Sequence, residues 1–222
     1  MFSGKHFFGI VALIVLISII QTGAVADKGE ETVIKLPRPE IKGKISLEET
    51  IAKRRSVRSY RGMPLSDKEL SQLLWAAQGI TAAAGGLRAA PSAGATYPLE
   101  TYVVSASGVF HYRPQGHLLK RIAKDDQRSA LVSAALGQRF LRKASVVIVF
   151  AAVAKRTTGR YGKRGEMFIH MEAGHAAQNV HLQAVALGMG SVPVGAFDEQ
   201  AVAGALKLPA DQTPLYLIGV GR

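Results

Sequence analysis

The run Ala52-Lys53-Arg54-Arg55-Ser56-Val57-Arg58 sets Arg54, Arg55 and Arg58 around Ser56 at the end of a short helical pattern. A guanidinium fork matches two phosphate oxygens at once and a serine hydroxyl adds a donor, so the chemistry on offer is the holding of a phosphate. Much later, Leu187-Gly188-Met189-Gly190-Ser191-Val192-Pro193-Val194-Gly195-Ala196-Phe197-Asp198 supplies small residues whose backbone groups can approach a flat ring closely. Ala90-Pro91-Ser92-Ala93-Gly94 is a second segment of that kind, and Gly219-Val220-Gly221-Arg222 brings one more guanidinium. An aromatic cofactor with a phosphate tail would use all of these. A simple phosphometabolite would use only the clamp.

Other chemistries fit less well. Glu172-Ala173-Gly174-His175 has the Glu-x-x-His spacing of di-metal carboxylate helices, but such sites need a second copy and further acids. His170-Met171-Glu172 resembles the opening of the zinc deaminase pattern, whose second half requires cysteines, and the chain has none. No metal site is expected. Gly188-Met189-Gly190 follows a helix and opens a strand, the reverse of a dinucleotide fingerprint. Ala90 stands where a nucleophile elbow needs its first glycine, so Ser92 is not a hydrolase nucleophile. No catalytic acid or base stands out.

The elements that must position these residues can be read from caps and periodicity. Ser46-Leu47-Glu48-Glu49 and Ser66-Asp67-Lys68-Glu69 are capping-box patterns that open helices, the first ending near Arg55 and the second near Gly79. Thr81 to Gly94 reads as a long loop, and Thr101–Val104 and Val109–Tyr112 as a hairpin. Leu118–Lys124 and Arg128–Leu141 carry helical spacing. Ser145–Ala154 is a continuous apolar run, the pattern of a strand buried on both faces. Lys155–Arg164, basic and rich in Gly and Thr, reads as a mobile loop. Glu166–Leu187 is the longest helix, with Glu172, His175, Asn179 and Gln183 as a polar stripe that must meet water, polar partners or another subunit. Asp198 caps a helix through Leu206, and Leu215–Gly219 is the last buried strand.

The sequence has 222 residues, 48% hydrophobic and 20% charged, a globular composition with room for one sizeable core. Residues 1–26 have the layout of a secretory signal: Lys5 and His6, the apolar run Phe7–Ile20, then Ala24-Val25-Ala26 before Asp27. An uncleaved anchor is the alternative. Residues 27–45 form an extended lead-in and residues 46–222 the domain, exported to the periplasm or envelope. The net charge of +12 raises the question of nucleic acid, but aromatics are only 7% and no row of exposed rings offers bases a stacking platform. Nucleic-acid binding is not the expected function.

Taken together, Arg54–Arg58, Ala90–Glu100, Gly108–Tyr112, Glu172–Asn179, Gly188–Asp198 and Gly221-Arg222 resemble the nitroreductase family of FMN-dependent oxidoreductases. Within it they look most similar to the branch typified by azoline dehydrogenases of azole-peptide biosynthesis (SagB-like). The resemblance implies an α+β sandwich of a mixed central sheet with helices on both faces, in a homodimer with FMN between the subunits. By position, Arg54, Arg55, Ser56 and Arg58 would hold the phosphate and ribityl chain, with Arg222 closing on the phosphate. Pro91, Ser92 and Ala93 would line the flavin ring from the partner subunit. Val194, Gly195 and Ala196 would face its N5 edge, and Gln138 its polar edge. NAD(P)H is a candidate donor, and the substrate a small molecule or peptide. The Lys-Tyr pair expected of azoline oxidation is absent, Arg160-Tyr161 being the nearest approach. A flavin- or phospholigand-binding protein without turnover is the alternative from another class, followed by an exported binder of anionic polymers.

Overall fold

Nine strands and seven helices follow one another in the computed structural model, which describes Met1 and residues 32–222. The secretory pattern, Met1 apart, lies outside the described residues, as does the start of the lead-in. Seven strands form one sheet: β1 (Val33–Lys35), β4 (Leu99–Ser105), β5 (Gly108–Arg113), β6 (Leu118–Ala123), β7 (Val146–Ala152), β8 (Gly190–Val194) and β9 (Thr213–Gly221). Their spatial order is β1-β6-β5-β4-β7-β9-β8, every pair antiparallel. A lone parallel bridge joins Ser56, which belongs to no strand, to Ser191 of β8 and is the one departure from that pattern among the described residues. The lead-in is extended as expected, and its Val33–Lys35 adds a strand to the sheet beside β6.

β7 is buried at every residue because both faces of the sheet are covered. On one face, Val103, Tyr112, Ile148, Phe150 and Ile218 pack with Leu73, Leu74, Ala173, Ala177 and Val180 of α2 (Asp67–Gln78) and α6 (Arg164–Ala186). On the other, Tyr102, Val104, Val147, Val149 and Leu217 pack with α3 (Arg128–Ala134), α4 (Phe140–Lys143) and α7 (Glu199–Leu206), through Leu131, Leu141, Val202 and Leu206. The result is an α+β sandwich. Among the described residues no helix is long and apolar enough to cross a membrane.

Caps set the helix bounds. Ser46 accepts from Glu49 N–H ahead of α1 (Leu47–Lys53), and Ser66 and Glu69 form a complete capping box before α2. Asp198 accepts from Ala201 N–H before α7.

Four expectations are corrected. Leu118–Lys124 is not helical but holds β6, because the turn through Gly116 and His117, both at positive φ, folds the chain back along β5. Its spacing of Leu118, Leu119 and Ile122 fits either period over so short a run. Arg128–Leu141 is broken at Leu136 (φ 54°) and Gly137 (φ 79°) into α3 and α4. The 81–94 loop carries a small hairpin of β2 (Ile80–Ala82) and β3 (Leu87–Arg88). Lys155–Tyr161 is a helix, α5, rather than a mobile loop: Thr157 is buried, and the Tyr161 ring meets Phe168 of α6 edge-on at 5.2 Å. Packing has overridden a weak local propensity.

Candidate functional site

Once α1 ends, the chain runs against the start of β8. Val57 N–H donates to Ser191 O at 3.0 Å, Gly190 pairs with Gly221 on β9, and Arg61 N–H donates to Arg222 O. The residues 54–58, 190–191 and 221–222, far apart in sequence, thus meet in one place. Gly190 is required there, since a Cβ would lie 2.6 Å from the Val57 side chain. Arg54 is half-buried; Arg55, Ser56 and Arg58 are exposed. Among the described residues neither Arg54 nor Arg58 has a carboxylate partner. Arg55 differs: its guanidinium folds back onto the Ala52 and Arg54 carbonyls at 3.0 and 2.7 Å, closing the end of α1.

Arg222 is already engaged. Its guanidinium pairs with the Glu69 carboxylate, which also accepts from Ser66 N–H at 2.8 Å and Ser66 Oγ at 2.9 Å. Burial alone would raise the Glu69 pKa, but the hydrogen bonds from Arg222 and Ser66 outweigh it and hold the carboxyl below its ordinary value. Beneath the clamp, the buried His181 shares a hydrogen bond with Ser191 Oγ at 2.7 Å. Burial, with the nearby Arg54 charge, lowers His181 to about 4, so the ring is neutral at neutral pH.

β8 then leads away from the clamp. Val194 is buried at its end, while Gly195 and Ala196 are exposed. Gln138 Nε2 donates to Ala196 O at 3.2 Å, a reach made possible by the break between α3 and α4. A Cβ built on Gly195 would meet nothing closer than Tyr216 at 3.8 Å, so this backbone edge is open to a close-lying group.

The Pro91–Ala93 segment lies elsewhere. Pro91 is exposed, Ser92 and Ala93 half-buried, and Ser92 Oγ accepts from Tyr97 N–H at 2.9 Å. α5 braces the loop: Arg156 donates to Tyr97 O at 3.0 Å, Arg160 to Gly94 O at 3.3 Å, and Thr157 Oγ1 meets Thr96 Oγ1 at 2.8 Å. Gly94 has φ 59°, and a Cβ would sit 2.5 Å from the Tyr161 hydroxyl. The loop borders Glu172 of α6, whereas the clamp borders His181. At about 1.5 Å per residue those stations are roughly 13 Å apart along the helix.

The polar stripe of α6 meets polar partners within the same chain at two of its four positions. Asn179 donates to Ala76 O at 3.0 Å, and Gln183 accepts from Gln72 at 3.2 Å, so these two turn toward α2. His175 alone of the four is exposed. Glu172 is only 2% exposed. Burial raises its pKa to about 7, against the opposing pull of Ser92, Arg88 and Gln78. Its Oε1 and the neighbouring Gln78 Nε2 both lack a hydrogen-bond partner. Sequence reading placed Glu172 in a polar stripe and Glu69 in a capping box, but no local pattern signalled the pairing of Glu100 with His111 and Arg156 or of Glu69 with Arg222. Among the described residues no group of His, Asp and Glu could hold a metal ion.

The fold is a two-face α+β sandwich with an arginine-bearing segment set against its last two strands, and comparison with known proteins makes the class specific. The nitroreductase family model matches residues 51–222, and the chain belongs to that family of oxidoreductases. A Methanocaldococcus jannaschii protein assigned as a nitroreductase is 44% identical over 200 residues, 87% of this chain and 98% of that one. A crystal structure from Ralstonia eutropha, also assigned as a nitroreductase, superposes with a TM-score of 0.78 at 33% identity, covering 86% of this chain and 89% of the other. The NADPH:FMN oxidoreductase of Vibrio harveyi, solved with NAD+, shares the fold at a TM-score of 0.60 and 21% identity, over 79% of this chain and 68% of that one.

Proposed function

We propose that the protein is an FMN-dependent oxidoreductase that passes hydride between the flavin and a small-molecule or peptide substrate. The observation that carries the reading is the pair Arg54 and Arg58, guanidinium groups without an acid, beside the exposed Ser56 hydroxyl. Charged donors left without a partner are what a phosphate needs. The donor set therefore fits FMN.

Bound FMN would supply the two-electron chemistry, with NAD(P)H as donor. The chain's own residues would do the placing. Arg54, Ser56 and Arg58 would fix the phosphate, and Arg222 would close on it while Glu69 holds its orientation. Arg55 would add charge, since its donors already serve α1. The open backbone of Val194, Gly195 and Ala196 would face the reacting edge, with Ala196 held by Gln138. Pro91, Ser92 and Ala93 would cover the ring from a partner subunit, which agrees with their distance from the clamp of their own chain.

Homodimer formation has separate support. Leu47 and Ile51 on α1, and Met167 and Met171 on α6, are 60%, 55%, 40% and 50% exposed. So much apolar surface on two packed helices suits a partner. Export, from residues 1–26, and membership of the azoline-dehydrogenase-like branch belong to the same proposal; the missing Lys-Tyr pair argues for a reaction other than azoline oxidation. Anaerobic mixing with NADH or NADPH tests turnover. The reading expects the visible flavin band to bleach and to return on adding an acceptor such as a nitroaromatic or a quinone. A flavin that neither donor reduces would leave a binding protein without turnover.

A further inference from the structure

A cavity of about 470 Å³ opens beside the Ser92–Tyr97 loop, bounded by Arg88, Tyr97, Glu100, Thr101, Arg113 and Arg156. Its size is in the range of small-molecule sites. The three arginines face a single carboxylate. That carboxylate is fully engaged: Glu100 pairs with Arg156 at 2.6 Å and with His111 Nε2 at 2.6 Å. Burial would raise the Glu100 pKa, but these partners pull it down to about 2, so it is ionised at any working pH.

Arg88 and Arg113 have no carboxylate within ion-pair distance among the described residues. Arg88 is half-buried above the Tyr97 ring, 4.5 Å from its centroid, and bonds Gln78 Oε1 at 2.9 Å. Burial disfavours its charge, against the smaller favourable pull of Glu100 and Glu172. An anion in the cavity would add to that pull. Thr101 supplies an independent observation: it is 2% exposed, lines the cavity, and its hydroxyl has no hydrogen-bond partner. A buried polar group without a partner is costly, so native folds keep few without a use.

We propose that this cavity is an oxyanion subsite, distinct from the phosphate clamp, that takes a carboxylate- or phosphate-bearing small molecule with a flat body against Tyr97. Arg88 and Arg113 balance its charge and Thr101 donates to one oxygen. Glu100, with both oxygens held by Arg156 and His111, leaves Arg88 and Arg113 to the ligand. The subsite and the Pro91–Ala93 segment share one loop, because Ser92 holds the Tyr97 N–H.

Calorimetric titration of the full chain, with excess FMN to fill the clamp, tests this using benzoate, phenyl phosphate and neutral benzamide. Both anions are expected to bind and benzamide not to; whichever anion binds tighter names the oxyanion. Thr101→Val should weaken the anions about threefold to tenfold, the value of one hydrogen bond, while melting no lower than the parent. Arg113→Gln, at an exposed position, should weaken them about tenfold or more. The proposal is overturned if neither anion binds, if benzamide binds as well, if FMN displaces the anions, or if both variants bind unchanged. Should FMN itself fail to bind, the same titrations without it still decide the subsite, separately from the flavin reading.

Discussion

Two arginine-rich regions of this protein look alike in sequence and behave oppositely in the fold. Arg54, Arg55, Ser56 and Arg58 follow α1, and the denser run Lys155–Arg164 follows β7. In the second, Arg156 is tied to Glu100 and Tyr97 O, and Arg160 to Gly94 O. Two of its five cations are spent on bracing a loop. In the first, Arg54 and Arg58 have no acid, and the backbone behind them is pinned to β8 through Val57 and Ser191. A rigid frame holding unpaired cations is preorganised for an anion, so the hydrogen bonds are not offset by ordering costs. In the proposed reading the first region differs from the second not by density of charge but by cations carried on a backbone pinned to β8.

The comparison is broken most directly by moving charges out of each region. Arg58→Ala is expected to weaken FMN about tenfold to hundredfold, as the loss of a charge-assisted bond to phosphate does. Arg164→Ala should leave FMN affinity within about twofold. Equal losses by fluorescence titration would mean that general charge governs binding. The converse experiment is Arg156→Ala, which strips Glu100 of one partner and Tyr97 of its donor. It should cost about 2 kcal/mol of stability in urea unfolding, whereas Arg58→Ala should cost almost none. A clamp variant that destabilises as much as the brace variant would erase the distinction.

A smaller effect sharpens the account of the loop. In the fold Glu172 titrates near 7, above an unfolded carboxyl at about 4.3, so between those values the folded chain holds more protons. Its contribution to stability is present below that window and falls as pH rises through it. Glu172→Gln should therefore match the parent near about pH 5 and exceed it by about 1–2 kcal/mol near about pH 8. A gap that does not change with pH would show that Glu172 does not carry the raised pKa described above.

Much of the fold was legible because caps and buried runs are local signals. Ser46, Ser66 and Asp198 marked helix starts that the structure keeps, and Ser145–Ala154 marked the central strand. What failed was decided by partners distant in sequence. β6 needed the edges of β1 and β5, and α5 needed Phe168 and the Thr96 hydroxyl to make a helix of a Gly- and Thr-bearing run. For the site, Ser56, Gly190 and Arg222 were visible as motifs, and their meeting followed from the pairing of β8 with β9 and from the bridge of Ser56 to Ser191. The Glu69–Arg222 pair spans 153 positions, and no local pattern announces it. Likewise Asn179 and Gln183 were legible as a stripe, but not which helix they would meet.

The central claim is that the clamp holds FMN in a site shared by two subunits. The direct measurement is to denature the purified protein, identify the released flavin by mass spectrometry, and obtain the native mass by light scattering. The account predicts FMN, one per chain, from a particle of twice the chain mass, with flavin and subunits lost together on dilution. FAD, a colourless protein that takes up no added FMN, or a monomer that retains its full complement of flavin would contradict it.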